Sequence, residues 1–211
     1  MDPEDAIAVC HLADAAATAA LGRRLAARLL EASGLIAPSP ASPGVPLPAD
    51  AALPASTTPA PPLLVSAPQA RPDLQAPLAS RRPPGCPLLL LRGPLGAGKT
   101  CLVQGLALGL GIAEPITSPT FALAHHYRGQ HGSMPTALVH LDLYRLEQPA
   151  AADELFAQEE EEAQALGALL AVEWPERLSF VPQPCWCLQL ELAGEGRLAR
   201  LWGPDMTAAG A

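Results

Sequence analysis

The first regular pattern along the chain is helical. Over residues 12–32, apolar and small side chains recur at steps of three or four, and the arginines lie mainly outside that stripe. The recurring positions are Thr18, Leu21, Leu25 and Leu29. This spacing predicts an amphipathic helix over 12–32 that buries one face against a core. Gly22, in the helix interior, is expected to weaken it slightly, and Gly34 is expected to end it.

Short runs of consecutive apolar residues form a second pattern, which begins at residue 86. The run "CPLLLL" predicts a strand buried on both faces, and leucines at every fourth position over 99–111 predict a helix after it. The other predicted elements are strands at 120–127, 136–146 and 168–174, a turn at 128–135, a helix at 151–167 and a strand pair within 185–203 around Gly194 and Gly196. Together they predict an α/β fold whose mixed sheet has a parallel centre, an antiparallel C-terminal flank and helices on both faces.

Composition changes abruptly between the first helix and the first apolar run. Residues 34–84 carry more than half of the chain's 25 prolines. Proline lacks a backbone N–H donor and disfavours helical geometry in the residue before it, so a packed element is not expected here. We therefore predict that residues 34–84 form a disordered, Pro- and Ala-rich insert.

Charge and cysteine content narrow the functional classes. The chain has 13 Lys and Arg against 21 Asp and Glu, a net charge of −8, so it is expected to bind DNA and RNA poorly unless a basic partner supplies the contacts. The five cysteines follow neither a zinc-ligand nor a disulfide-framework spacing. The acidic start lacks signal-peptide features and no long apolar run follows, so a cytoplasmic protein without a membrane span is predicted.

A candidate phosphate site lies at residues 92–100, "RGPLGAGKT", which contain the pattern G-x-x-x-x-G-K-[ST]. Glycines let backbone N–H groups surround an anion, and the following helix directs its positive end to the same place. Lys99 is expected to reach the β- and γ-phosphates of a nucleotide, and the Thr100 hydroxyl to hold Mg²⁺. The predicted nucleotide-contacting residues of this segment are Gly93, Leu95, Gly96, Ala97, Gly98, Lys99, Thr100 and Cys101.

Two acidic residues, Asp142 and Glu173, each close an apolar run. A nucleotide site of this class needs a carboxylate at a strand end, either to hold the magnesium shell or to orient water. Periodicity does not decide which acid meets magnesium, so both stay open at this point. The segment "PITSPTF" at 115–121 adds loop hydroxyls, including Ser118 and Thr120, of the kind that can sense a γ-phosphate and its metal.

Four segments, "GPLGAGKT", "ITSPTFALAHHY", "HLDLYRL" and "VEWPERL", follow one another in this order. Together they resemble the TsaE (YjeE) family, the ATPase component of bacterial tRNA threonylcarbamoyladenosine biosynthesis. The resemblance covers residues 12–32 and about 86–200 and implies a small P-loop NTPase fold. We therefore expect one P-loop NTPase domain over 1–211, with its nucleotide-binding core at 86–203.

The resemblance also implies roles for individual residues. The implied catalytic residues are Lys99, Asp142 and Glu173, where Asp142 is an essential acid near the γ-phosphate. Thr100 and Glu173 are the implied magnesium ligands. Ser118 and Thr120 correspond to a switch-like loop of the family, and Trp174 to a tryptophan beside the nucleotide.

The function implied by the resemblance is ATP hydrolysis with Mg²⁺, weak alone and stimulated by partners. Those partners are a TsaB–TsaD pair that transfers a threonylcarbamoyl group to adenosine 37 of tRNAs reading codons that begin with A, so tRNA is contacted only indirectly. A small-molecule kinase remains an alternative, although the arginines after the phosphate loop form no lid-like cluster. A nucleotide-gated subunit without turnover is a third hypothesis.

Overall fold

The structure, a computed structural model, describes residues 2–32, 34, 86–119 and 122–204. Apart from Gly34, the predicted insert at 34–84 lies outside these residues, as does Thr120. Three helices are present within the described chain: α1 (Ala15–Ala32), α2 (Lys99–Gly109) and α3 (Pro149–Leu166). The strands are β1 (Ala8–Leu12), β2 (Leu88–Arg92), β3 (Ala124–His131), β4 (Met134–Asp142), β5 (Leu169–Glu173), β6 (Trp186–Ala193) and β7 (Gly196–Trp202).

All seven strands belong to one mixed sheet in the order β1-β7-β6-β2-β5-β4-β3. The central strands β6, β2, β5 and β4 pair in parallel. The outer pairs, β1 with β7, β7 with β6 and β4 with β3, are antiparallel. The predicted α/β class with a parallel centre and an antiparallel C-terminal flank is confirmed, and a second antiparallel flank lies at the other side of the sheet.

The sheet is covered on both faces, as predicted. Leu89 and Leu91 of β2 belong to a core formed with α1 and α2, whereas Leu88 and Leu90 belong to a core that contains Phe156 of α3. Successive side chains of a strand point to opposite faces, which explains why this strand is a continuous apolar run. Its central position places the end of β2 at the middle of the sheet's carboxyl edge.

The N-terminal region differs from the prediction. Residues Ala8–Leu12 form β1, which pairs with β7 at one border of the sheet, and no strand was predicted there. The helix consequently begins at Ala15 instead of residue 12. The Asp14 carboxylate accepts a hydrogen bond from the Ala17 backbone N–H at 2.7 Å, an N-cap that fixes this start.

The predicted turn at 128–135 is wrong in extent. β3 continues to His131 and β4 already begins at Met134, so only Gly132 and Ser133 join the two strands. β4 also ends at Asp142, four residues before the predicted end of that strand. A tight hairpin therefore replaces the long turn, and Asp142 becomes the last residue of its strand.

Gly22 has a packing role that was not predicted from the sequence. A Cβ at this position would lie 2.1 Å from the backbone oxygen of Leu102, because α1 and α2 cross closely here. The facing residue on α2 is Gly105, whose own Cβ would lie 2.0 Å from the Ala19 oxygen. Gly22 thus permits the backbones of the two helices to touch, which a larger residue would prevent.

Within the described residues, none of the helices has the length and apolar character needed to cross a membrane.

Candidate functional site

The phosphate loop joins the end of β2 to the start of α2. Gly93 and Gly98 have φ angles of 137° and 99°, a region that L side chains rarely adopt. A Cβ on Gly93 would also lie 2.3 Å from the backbone oxygen of Leu190 in the neighbouring strand. The glycines of the motif therefore permit a backbone path that other residues would obstruct, immediately before the N-terminus of α2.

Lys99, the first residue of α2, extends back over the loop. Its Nζ donates hydrogen bonds to the carbonyl oxygens of Gly93 at 2.8 Å and Pro94 at 3.0 Å. The ammonium also lies 4.0 Å from the ring centroid of Trp174, a cation–π contact. Burial lowers the pKa of Lys99, and the carboxylates of Glu173, Glu176 and Asp142 partly oppose that effect. The residue is thus a buried cation held at the loop.

Glu173, the last residue of β5, receives two hydrogen bonds on the same oxygen. Thr100 Oγ1 donates to Glu173 Oε1 at 2.9 Å, and His140 Nε2 lies 2.9 Å from that atom. Glu173 is 3% exposed, and His140 is fully buried. This side-chain set links α2, β4 and β5 directly below the loop.

Asp142 ends β4 in register with Glu173 on the adjacent strand. Ser118 Oγ donates to Asp142 Oδ2 at 2.9 Å, and the Tyr144 backbone N–H donates to Oδ1 at 3.0 Å. Asp142 is 7% exposed. The two contacts orient its carboxylate, and the one from Ser118 connects it to the loop that precedes β3.

These groups surround one open cavity of about 280 Å³ at the carboxyl edge of the parallel strands. Ligand sites of open α/β sheets characteristically occupy this edge. The lining residues are Leu95, Gly96, Gly98, Lys99, Thr100, Cys101, Ser118, Asp142, Tyr144, Glu173 and Trp174. Ten of these eleven positions were predicted from the sequence, and Tyr144 was not.

The oxygen atoms of the cavity fit a magnesium ion. Mg²⁺ is usually bound by one or two protein oxygens together with phosphate oxygens and water. The Thr100 hydroxyl and the Glu173 carboxylate are 2.9 Å apart, and Asp142 lines the same space. Thr100 donates its proton to Glu173, which leaves the lone pairs of the hydroxyl available to a cation.

Comparison with known proteins places the chain in a family. The family model described as "Threonylcarbamoyl adenosine biosynthesis protein TsaE" matches residues 66–200, which includes the phosphate loop and both acidic strand ends. The chain belongs to the TsaE family. The match begins within the predicted insert and does not include α1, which the sequence resemblance had covered.

Several curated relatives carry the name "tRNA threonylcarbamoyladenosine biosynthesis protein TsaE". The TsaE of Synechocystis sp. is 50% identical over 107 residues, which cover 50% of this chain and 64% of the relative. The TsaE of Nostoc sp. is 43% identical, and the match covers 52% of this chain and 65% of the relative. The TsaE of Treponema pallidum is 40% identical, and the match covers 52% of this chain and 76% of the relative. The chain therefore spans slightly less than two thirds of the length of the first two relatives.

A solved structure of YdiB from Bacillus subtilis overlaps with the chain at a TM-score of 0.39 and 27% sequence identity. The overlap covers 58% of this chain and 74% of YdiB. The fold assignment of the TsaE-family chain rests instead on its own sheet order and on the loop between β2 and α2.

Most residues expected to serve the TsaE-family site are brought together, and their roles stay predictions. Gly93 and Ala97 do not line the cavity but belong to the loop beneath it. The Ala97 carbonyl accepts a hydrogen bond from Arg197 Nε at 2.9 Å, so β7 supports the loop from behind. Thr120, the remaining expected contact, falls outside the described residues.

Three residues near this TsaE-family site had been assigned no role from the sequence. The Tyr144 ring lies 4.8 Å from the Trp174 ring, centroid to centroid, at the mouth of the cavity. His140 contacts Glu173, and Arg197 contacts the loop. The only sequence signals were a tyrosine within "DLYR" and a histidine within an apolar strand; nothing in the sequence pointed to Arg197.

Proposed function

We propose that this TsaE-family protein binds ATP with Mg²⁺ in the cavity and hydrolyses it. In this proposal it serves the formation of the threonylcarbamoyl group on adenosine 37 of tRNAs that read codons beginning with A. It acts in the cytoplasm with a TsaB–TsaD-like pair, and its turnover is weak until that pair is bound. Membership of the TsaE family supports the proposed role in tRNA modification, and the residues of the cavity support ATP binding and hydrolysis.

One observation carries the proposal: the phosphate loop, two strand-end carboxylates and the hydroxyls of Thr100 and Ser118 line the same cavity. A phosphate loop alone serves kinases, ATPases and GTPases alike. Here Asp142 and Glu173 stand side by side at the ends of paired strands, within reach of a loop that opens α2. This arrangement supplies positive charge, a metal-compatible oxygen set and a carboxylate suited to orient water.

Each group has a defined task in the proposed reaction. The loop N–H groups and Lys99 bind the phosphates, and their positive charge stabilises negative charge that develops on the phosphate oxygens. Thr100 and Glu173 would hold Mg²⁺, which when bound neutralises further phosphate charge. Asp142 accepts a hydrogen bond from the attacking water and so orients it. The hydrogen bond from Ser118 couples this carboxylate to the switch-like loop, to which Ser118 and Thr120 belong in this proposal. Trp174 packs beside Lys99.

The charge of the chain supports a division of labour with partners. A protein with a net charge of −8 lacks the excess of basic residues on which phosphate-backbone affinity depends. RNA contact is therefore left to the proposed TsaB–TsaD-like pair, and the chain contributes nucleotide turnover. Neither DNA nor a membrane is expected as a partner.

Phosphate release tests the proposal. Purified chain should release inorganic phosphate from ATP slowly alone and faster with a TsaB–TsaD pair, without any added acceptor molecule. Asp142→Ala should lower kcat by about 100-fold or more, because removal of a positioned base usually costs at least that much. Release that requires a small-molecule acceptor would favour the kinase alternative.

Asp153→Ala is a matched control for the loss of a carboxylate. Asp153 lies on α3 and accepts hydrogen bonds from the Ser179 backbone N–H and hydroxyl, outside the cavity lining. The Asp153→Ala variant should hydrolyse ATP at the wild-type rate. If the partner pair neither binds nor stimulates the chain, and Asp142→Ala matches Asp153→Ala, the proposed function is wrong.

A further inference from the structure

His140 is a buried polar residue in an otherwise apolar strand. Its side chain is 0% exposed, and Nε2 lies 2.9 Å from Glu173 Oε1 on the neighbouring strand. Leu138, two residues before His140 on β4, packs in the core that contains Leu102 of α2. Because alternate residues of a strand share a face, His140 and Asp142 also point to the face of the sheet that α2 covers. The imidazole therefore lies beneath the acidic end of the cavity, behind Glu173.

The chemistry of the hydrogen bond between His140 and Glu173 determines which of the two side chains is the donor. A carboxylate oxygen only accepts hydrogen bonds, so His140 Nε2 donates to Glu173. The other ring nitrogen, Nδ1, is buried and has no hydrogen-bond partner among the described residues. A buried polar atom without a partner costs stability, and an aliphatic residue would fill this space without that cost. Packing alone therefore does not account for a histidine here.

The hydrogen bonds on Glu173 converge in a way that orients it. Both Thr100 Oγ1 and His140 Nε2 donate to Oε1, from α2 and from β4 respectively. Two donors from different elements fix the rotation of the carboxylate and leave Oε2 outside both bonds. Groups behind a metal ligand that fix its orientation typically change metal affinity or activity 10- to 100-fold.

We propose that His140 is a positioning residue that holds the Glu173 carboxylate in the orientation needed for a magnesium-bound nucleotide. The inference rests on the proposed function of the cavity as a magnesium–nucleotide site. His140 acts through Glu173 and touches neither the nucleotide nor its metal.

The test measures how strongly Mg²⁺ tightens nucleotide binding. ADP is titrated into the full 211-residue chain by calorimetry, once with Mg²⁺ and once with EDTA. His140→Leu removes the donor at similar volume and should leave the affinity in EDTA within about twofold while it lowers the affinity in Mg²⁺ by about 10- to 100-fold. His140→Gln, whose amide also donates an N–H, should restore most of the Mg²⁺ effect. Mn²⁺ added with ADP gives a second readout, because its electron paramagnetic resonance signal should broaden less in His140→Leu than in wild type.

Thr136→Val is the matched control. Thr136 lies on the same strand, is buried and donates its hydroxyl hydrogen bond to the Leu110 carbonyl, away from the cavity lining. Thr136→Val should lower thermal stability without any change in the ratio of the ADP affinity in Mg²⁺ to that in EDTA. A ratio that falls equally in both variants, or that stays unchanged in His140→Leu, would overturn the positioning role.

Failure of the inference and failure of the proposed function are distinguishable. A wild-type chain that binds ADP equally well with Mg²⁺ and EDTA overturns the inference. A wild-type chain that shows the Mg²⁺ effect, with the expected loss and rescue at His140, supports the inference even if TsaB–TsaD does not stimulate turnover. In that second case only the proposed function fails.

Discussion

Gly93 and Gly96 lie three residues apart in the phosphate loop, and both have positive φ, but only one is enclosed. A Cβ on Gly93 would lie 2.3 Å from the Leu190 backbone oxygen, whereas a Cβ on Gly96 would have no neighbour within 4 Å. Gly93→Ala should therefore cost about 1–3 kcal/mol for the positive-φ backbone conformation and about 1–3 kcal/mol more for the collision. Gly96→Ala should cost only the first amount.

Denaturant unfolding of the nucleotide-free chain measures this difference without interference from binding. Gly96→Ala is the matched control, because it makes the same chemical change in the same loop. Equal losses in the free energy of unfolding would show that β6 does not restrict the loop at Gly93.

Trp174 shows how backbone strain and the site coincide. Its φ of 60° is unusual for a bulky residue, and this conformation turns the chain directly after Glu173. The indole contacts the Lys99 ammonium on one side and the Tyr144 ring at the mouth of the cavity. Strained conformations persist where surrounding contacts determine them, and such positions cluster at functional sites.

At the scale of elements, the close contact between α1 and α2 determines which residues are tolerated at Gly22. Gly22→Ala should destabilise the protein, although alanine is the better helix former by about 1 kcal/mol. The new Cβ would lie 2.1 Å from the Leu102 oxygen and 2.9 Å from the Leu106 nitrogen, both backbone atoms that cannot move alone. The helices must separate, which costs about 1–3 kcal/mol, and thermal unfolding measures the net loss.

Ala20→Gly is the control for helix propensity. Ala20 is an exposed position of the same helix, so its substitution changes propensity without a packing collision. If Gly22→Ala raises the unfolding temperature by as much as Ala20→Gly lowers it, the close helix contact does not limit stability.

Elements with a strong local pattern were predictable, and those defined by distant pairing were not. The helix at 151–167 and the strand at 168–174 were predicted within two residues of α3 (Pro149–Leu166) and β5 (Leu169–Glu173). β1 is a five-residue border strand whose pattern is too short to signal a strand, and it exists because β7 supplies its hydrogen bonds. β3 carries polar residues such as His131 on an exposed hairpin, which resembles a turn in sequence.

At the candidate site too, residues in local patterns were predictable and residues defined by distant contacts were not. Lys99 and Thr100 follow from a contiguous motif, and the two acids follow from their positions at strand ends. His140 and Arg197 depend on side-chain contacts between segments 33 and 100 residues apart, respectively, which no local pattern encodes. The residues that line the cavity are therefore more predictable from the sequence than the residues that hold them in place.

At the scale of the whole molecule, the cavity lies at one edge of the sheet, and the described elements that flank the predicted insert, the end of α1 and the start of β2, lie at the opposite edge. α2 begins at the carboxyl edge, directly after the loop that follows β2. α1 runs parallel to α2, since Cys101 Sγ contacts the Ala15 oxygen near their starts and Ala26 packs at Gly109 near the end of α2. α1 therefore ends at the edge where β2 begins, remote from the cavity.

Replacement of residues 36–84 by about ten Gly and Ser residues should consequently leave nucleotide binding nearly unchanged. Such a linker has an r.m.s. reach of about 16–19 Å and extends to about 33 Å, enough to join two chain ends at one edge of the sheet. Calorimetry with ADP should give an affinity within about twofold of wild type, because α1 ends and β2 begins at the sheet edge opposite the cavity. A second variant that scrambles 36–84 at constant composition separates linker length from sequence-specific contacts. Loss of cooperative unfolding, or an affinity more than about tenfold weaker in the shortened chain alone, would show that the segment contributes to the fold, contrary to the prediction of a disordered insert.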